Sequence, residues 1–94
     1  MYERMLRHMR EKIRTRNYVM TLHAEEEMDD DGFSIFDVER AILTGHIMER
    51  QTDQHTGEWK YVLIGESLHA ASVGAVVKLS STDKLVIITV YREA

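Results

Sequence analysis

The hydrophobic spacing of this chain changes once, at Gly45, and that change limits the folds open to it. Before Gly45, apolar residues recur at helical spacing. Tyr2, Met5, Leu6, Met9 and Ile13 form one stripe, and Ile35, Val38, Ala41 and Ile42 form another. After it, apolar residues fall in short β-prone runs, Ile47 to Thr52, Trp59 to Gly65, Ala70 to Ser80 and Leu85 to Arg92, separated by polar turns. A chain of 94 residues has room for one core. Helices first and strands afterwards predict an α+β domain, with N-terminal helices packed on a four-stranded antiparallel sheet. We therefore expect residues 1–94 to form a single domain. It would comprise a basic amphipathic helix over 1–17, two helices over 21–45 and the sheet over 46–94.

Local chemistry places the boundaries. Asn17 ends the first helix, and Tyr18-Val19-Met20 reads as a brief extended segment. Thr21 can cap a second helix through its hydroxyl, with Glu25 and Glu26 in the turn where the helix dipole favours negative charge. Leu22 and Met28 give that helix a thin apolar face, and Gly32 stops it. Ser34 with Asp37 three residues later makes a capping box for the third helix, and Phe33 and Val38 are spaced as a hydrophobic staple. Gly57 and Gly65 read as turn glycines.

Composition excludes several classes of function. With no cysteine, disulfides, thiolate zinc sites and cysteine nucleophiles are impossible. Charges at Glu3, Arg4, Arg7 and Arg10 leave no apolar signal-peptide core, and the longest apolar runs are too short to span a bilayer, so a cytoplasmic protein is expected. The net charge of −4 conceals an asymmetry. Arg4, Arg7, Arg10, Lys12, Arg14 and Arg16 crowd the first segment, whereas Glu25, Glu26, Glu27, Asp29, Asp30 and Asp31 follow within a few residues of one another. The basic helix reads either as a solvated face or as one that contacts phosphate or docks an acidic surface.

His23, set just before three glutamates, is the first candidate for chemistry. Histidine titrates near neutral pH and serves as acid or base. Alternatively, it is a helix-start residue bonded to the backbone. His23, Glu26 and Glu27 share a helix face and could take zinc or manganese. No second ligand cluster accompanies them and no phosphate-loop spacing occurs, so neither metal nor cofactor is expected and the acid run reads as a solvated face. Tyr91 alternates with Val90 near the last strand's end and is suited either to the core or to stacking on a base and donating to phosphate. Trp59 and Tyr61 read as sheet packing.

Several strings taken together resemble a small bacterial family of unknown function: T-L-H-A-E-E-E-M-D-D-D-G at 21–32, S-I-F-D-V-E-R-A-I-L-T-G at 34–45, E-R-Q-T-D at 49–53, T-G-E-W-K-Y at 56–61 and K-L-V-I-I-T-V-Y-R-E at 84–93. That family is similar to ribonuclease toxins of the barnase, colicin and RelE type, often paired with a zinc-finger, helix-turn-helix antitoxin resembling MqsA. The resemblance implies the toxin half of a type II toxin–antitoxin pair, a metal-independent endoribonuclease. In it His23 would be acid or base, Glu26 or Glu27 would orient it, and Lys60 and Tyr91 would complete the catalytic set. Arg50, Lys78 and Arg92 would hold the RNA phosphates. One departure stands out: Glu27 occupies a position where the wider family carries arginine, and glutamate repels phosphate. The alternative is a non-enzymatic module whose acidic helix docks a basic partner. A homo-oligomer fits either reading.

Overall fold

The computed structural model describes residues 1–93. Its elements run α1 (Glu3–Arg14), β1 (Tyr18–Met20), α2 (Leu22–Asp30), α3 (Ile35–Thr44), β2 (His46–Thr52), β3 (Trp59–Glu66), β4 (Ser72–Leu79) and β5 (Leu85–Arg92). The strands form one five-stranded sheet in the order β1-β5-β4-β3-β2. Strands β2 to β5 are the expected antiparallel meander, but the sheet is mixed, because β1 pairs in parallel with β5 from Tyr18↔Leu85 to Met20↔Ile87. The prediction of four antiparallel strands was one strand short. Three residues carry no readable alternation, and a parallel partner so distant in sequence leaves no turn signal to announce it.

The helices cover one face of this sheet. Leu6, Met9 and Ile13 of α1 and Val38, Ala41 and Ile42 of α3 are buried against Tyr61, Leu63, Val73, Ala75, Val77, Leu85, Ile87 and Val90. The Ser34–Asp37 capping box forms in both directions, and both staple residues, Phe33 and Val38, are buried. Asp37 is buried too and accepts a further bond from the Leu68 N–H at 2.9 Å, which ties the β3–β4 loop to α3. The apolar face of α2 differs from the expected one. Leu22 is 70% exposed, while Ala24 is buried and Met28 packs against the core.

Two cations of the basic helix serve the fold. Arg10 donates to the carbonyls of Ile42 (3.3 Å) and Gly45 (2.7 Å), satisfying the C-terminal end of α3, where a positive charge is favoured. Lys12 is buried, with Nζ 2.8 Å from Asp83 in the β4–β5 turn. Gly57, with φ of +74°, is a turn glycine as expected, but Gly65 lies within β3. A Cβ there would stand 1.9 Å from the Ala41 carbonyl oxygen, so the glycine permits α3 to press onto the strand.

Among the described residues no helix packs on the other face. Alternation from the buried Tyr61, Leu63, Val73, Ala75 and Val77 assigns Lys60, Val62, Ile64, Gly74, Val76 and Lys78 to it. In β5 a bulge shifts the alternation: Val76 faces Thr89 and Val77 faces Ile87, leaving Ile88 extra. The shift keeps Leu85, Ile87 and Val90 in the core and sends Tyr91 to the open face.

Candidate functional site

The acid run explains itself along the edge of β5. Strand β1 ends at Met20, and beyond it α2 takes over as the neighbour of β5. Thr21 Oγ1 donates to the Ile88 carbonyl (3.0 Å), Glu27 Oε1 accepts from the Val90 N–H (3.2 Å) and Asp31 Oδ2 accepts from the Arg92 N–H (3.2 Å). The periods match. Four residues of helix rise about 6 Å, and two residues of strand about 6.7 Å. Acids spaced i, i+4 on a helix can therefore meet successive outward N–H groups of a strand edge. Glu27 and Asp31 stand in for the missing ladder, so the edge is neither bare nor free to pair with another chain.

His23 lies one helical turn before Glu27, with Nε2 3.1 Å from the same Oε1 that receives the Val90 N–H. The imidazole is 67% exposed, whereas Glu27 is 29% exposed. The carboxylate is thus held from the strand side, with the ring within ion-pair distance of it; the other ring nitrogen, Nδ1, is not part of this contact. Glu26 is exposed and makes no hydrogen bond or ion pair among the described residues. Among the described residues no group of three or more potential ligands could hold a metal ion, so the His23, Glu26 and Glu27 metal set does not assemble.

The remaining predicted residues lie elsewhere. Lys60 and Lys78 each lie one residue beyond the last β3–β4 pair, Tyr61↔Val77, on the open face, and Lys78 pairs with Glu58 at 3.2 Å. Tyr91 occupies the same face, in the row Tyr91–Gly74–Ile64. That row is four β3 residues from Lys60, about 13 Å along the strand. The ring of Tyr91 lies across Gly74, where a Cβ would stand 2.1 Å from Cζ, so it leans over β4, away from α2 and His23. Burial, with help from Glu93 and Glu49, raises its phenol above the ordinary value. Arg92 sits on the His23 edge, donating to the Asp31 carbonyl (2.7 Å) with its guanidinium 4.4 Å from the Phe33 ring centroid. Arg50 is at the far side of the sheet, on the face that α1 covers. The predicted set therefore separates into three places: the β5 edge, the open face and the β2 side.

Arg50 belongs to a groove that sequence reasoning missed. Its guanidinium stacks 3.9 Å from the Trp59 ring centroid and 5.8 Å from that of Tyr2, and Tyr2 meets Tyr61 edge to face at 6.0 Å. Arg50, Tyr2 and Tyr61 line, with α1, a cavity of about 740 Å³ that also takes in Arg4, Arg7 and His8. The available signal was the i, i+3, i+4 spacing of Arg4, Arg7 and His8 beside the apolar Tyr2 and Met5. What no local pattern conveyed was that β2 would bring Arg50 against that helix.

Among the described residues no helix is long and apolar enough to cross a membrane. No curated protein and no solved structure matches the chain. Residues 20–92, from the last residue of β1 to the end of β5 and so including the α2–β5 edge but not α1, match the family described as Domain of unknown function (DUF4258), and the chain belongs to that family.

Proposed function

We propose that this chain is a metal-independent endoribonuclease of the toxin type, with His23 as its general base. The observation that carries the reading is the His23–Glu27 pair: an exposed imidazole with Nε2 3.1 Å from a carboxylate that the Val90 N–H fixes. A base oriented by a third group is the arrangement that proton transfer from a hydroxyl requires. His23 Nδ1 takes the proton of an RNA 2′-hydroxyl, and the 2′ oxygen bonds to the adjacent phosphorus. The P–O5′ bond breaks, and the departing 5′ oxygen takes a proton from water, leaving a 2′,3′-cyclic phosphate and a free 5′-hydroxyl. Arg92 lies beyond the other end of α2, bound to the Asp31 carbonyl and over Phe33, so in this reading it can meet the RNA phosphates only away from the reacting phosphorus. Glu27 fits this role despite standing where an arginine would contact phosphate, because its carboxylate is engaged by Val90 and His23.

The test is incubation of purified protein with RNA in excess EDTA, comparing wild type with His23→Ala and Glu27→Gln. Wild type should yield cyclic-phosphate ends, His23→Ala should lose at least about 100-fold in rate, and Glu27→Gln should fall between. Full activity in His23→Ala sinks the site. Intact RNA with wild type sinks the function.

A second reading rests on the outer side of α2. With Glu27 and Asp31 turned to β5, the exposed Glu25, Glu26, Asp29 and Asp30 remain as a one-sign surface suited to a basic partner, such as the zinc-finger antitoxin the sequence resemblance implies. Co-purification of the adjacent gene product should then survive His23→Ala and fail when these four acids are neutralised.

A further inference from the structure

The groove under α1 is distinct from the His23 edge and lies mostly outside the family match, since α1 precedes residue 20. We propose that it binds a single-stranded oligonucleotide, with phosphates on Arg4, Arg7 and Arg50 and a base or sugar on the apolar floor at Tyr2 and Met5. The site lies at the opposite edge of the sheet from His23, so its occupancy does not depend on whether His23 cleaves.

Three observations support the assignment. The first is charge. In a chain of net charge −4, Arg4, Arg7 and Arg50 line one concavity, and among the described residues none of the three has a carboxylate within ion-pair distance. Glu11, also at the groove, is 3.7 Å from Arg14 instead. The other basic side chains of α1 near the core are already committed, Arg10 to carbonyls and Lys12 to Asp83, so the groove arginines are those the fold leaves available.

The second is preorganisation. The Arg50 guanidinium lies 3.9 Å from the Trp59 ring centroid and 5.8 Å from that of Tyr2, which restricts it between two aromatic rings while leaving its N–H groups without a protein acceptor among the described residues. A fixed guanidinium fork matches two phosphate oxygens in its plane. The third is the floor. Tyr2 and Met5 are half-buried and apolar, and the groove of about 740 Å³ falls in the size range of small-molecule sites, with room for a nucleotide or two. An acidic peptide would satisfy the arginines but gives the aromatic floor nothing to stack, whereas every nucleotide offers a π-face.

The experiment is fluorescence anisotropy of the full chain with labelled single-stranded hexanucleotides, one of DNA and one of 2′-O-methyl RNA, which lacks the hydroxyl needed for cleavage. Three phosphate contacts predict a log–log salt slope of about −2, hence a roughly twenty-fold weakening between 50 and 200 mM salt. Arg50→Ala and the double variant Arg4→Ser, Arg7→Ser should each weaken binding about tenfold or more, and Arg50→Lys should recover only part of it. Arg40→Ala, an exposed change on α3 away from the groove, should bind as wild type does. Circular dichroism and thermal melting confirm that each variant is folded. Binding of both strands, or of the RNA alone, supports the proposal and says which sugar the groove accepts. Absence of binding at millimolar protein, equal binding by the folded double variant, or a glutamate-rich peptide that binds as tightly and displaces the oligonucleotide would each overturn it.

Discussion

Replacing Glu27 with alanine removes the acceptor for the Val90 N–H, and the consequence can be worked from the edge geometry. The lost bond is 3.2 Å long, runs from a side chain to the backbone of the last strand and is partly buried. Val90 itself is fully buried, so water reaches its N–H poorly. An unsatisfied donor at such a site costs about 1–3 kcal/mol, and removing the charged acceptor places the change near the middle of that range. At 4–8 °C per kcal/mol for a domain of this size, the melting midpoint should fall by roughly 8–16 °C for a loss of about 2 kcal/mol. Glu27→Gln retains a carbonyl oxygen and should lose less than half as much. Glu26→Ala, one residue away and solvent-exposed, should change stability by about 0.5 kcal/mol or less. Thermal and urea unfolding of the three variants settle the comparison, with amide exchange at Val90 as a local readout. If Glu26→Ala and Glu27→Ala melt together, the acids are interchangeable surface charge and the edge-capping account is wrong.

Gly65→Ala should be among the most damaging single changes, about 3 kcal/mol or more, because the new Cβ would meet the Ala41 backbone from 1.9 Å and neither α3 nor β3 can yield without unpacking the core; urea unfolding measures it. Tyr18, whose hydroxyl donates to Glu39, has its phenol pushed up to about 12 by burial and by that carboxylate. The proton is bound more tightly in the folded chain, so this contribution to stability is complete below pH 10 and lost as pH rises through about 12. Phenolate absorbance should show a tyrosine titrating near pH 12 that Tyr18→Phe removes, with the raised Tyr91 transition left in place. The N–H groups of Ser34 and Leu68 hold the Asp37 carboxyl below its ordinary 3.8. Its stabilisation is therefore present at neutral pH and lost as pH falls below 3.8 through the folded value, and Asp37→Asn should flatten that limb of the acid-unfolding curve.

The helices and the meander were legible because their signals are local. The α3 cap and staple occupy adjacent residues, and the stripe Leu6, Met9 and Ile13 is buried as its spacing implies. What escaped the sequence depends on partners far along the chain. Tyr18–Met20 becomes a strand only because β5 passes beside it. Glu27 and Asp31 resemble their exposed neighbours in every local respect, and only the edge of β5 sets them apart. Gly65 read as a turn because nothing nearby in sequence announces the approach of Ala41. The candidate site divides the same way. The His23–Glu27 contact is an i, i+4 pair visible from spacing, whereas the separation of Lys60, Lys78 and Tyr91 from it follows from strand order and from the tilt of one ring over Gly74.

The most direct measurement of the functional account is the chemical identity of the ends produced when purified protein meets RNA in excess EDTA. A base at His23 predicts 2′,3′-cyclic phosphates and 5′-hydroxyls from wild type and essentially none from folded His23→Ala. RNA that remains intact with wild-type protein, or identical ends at an equal rate from the variant, contradicts it.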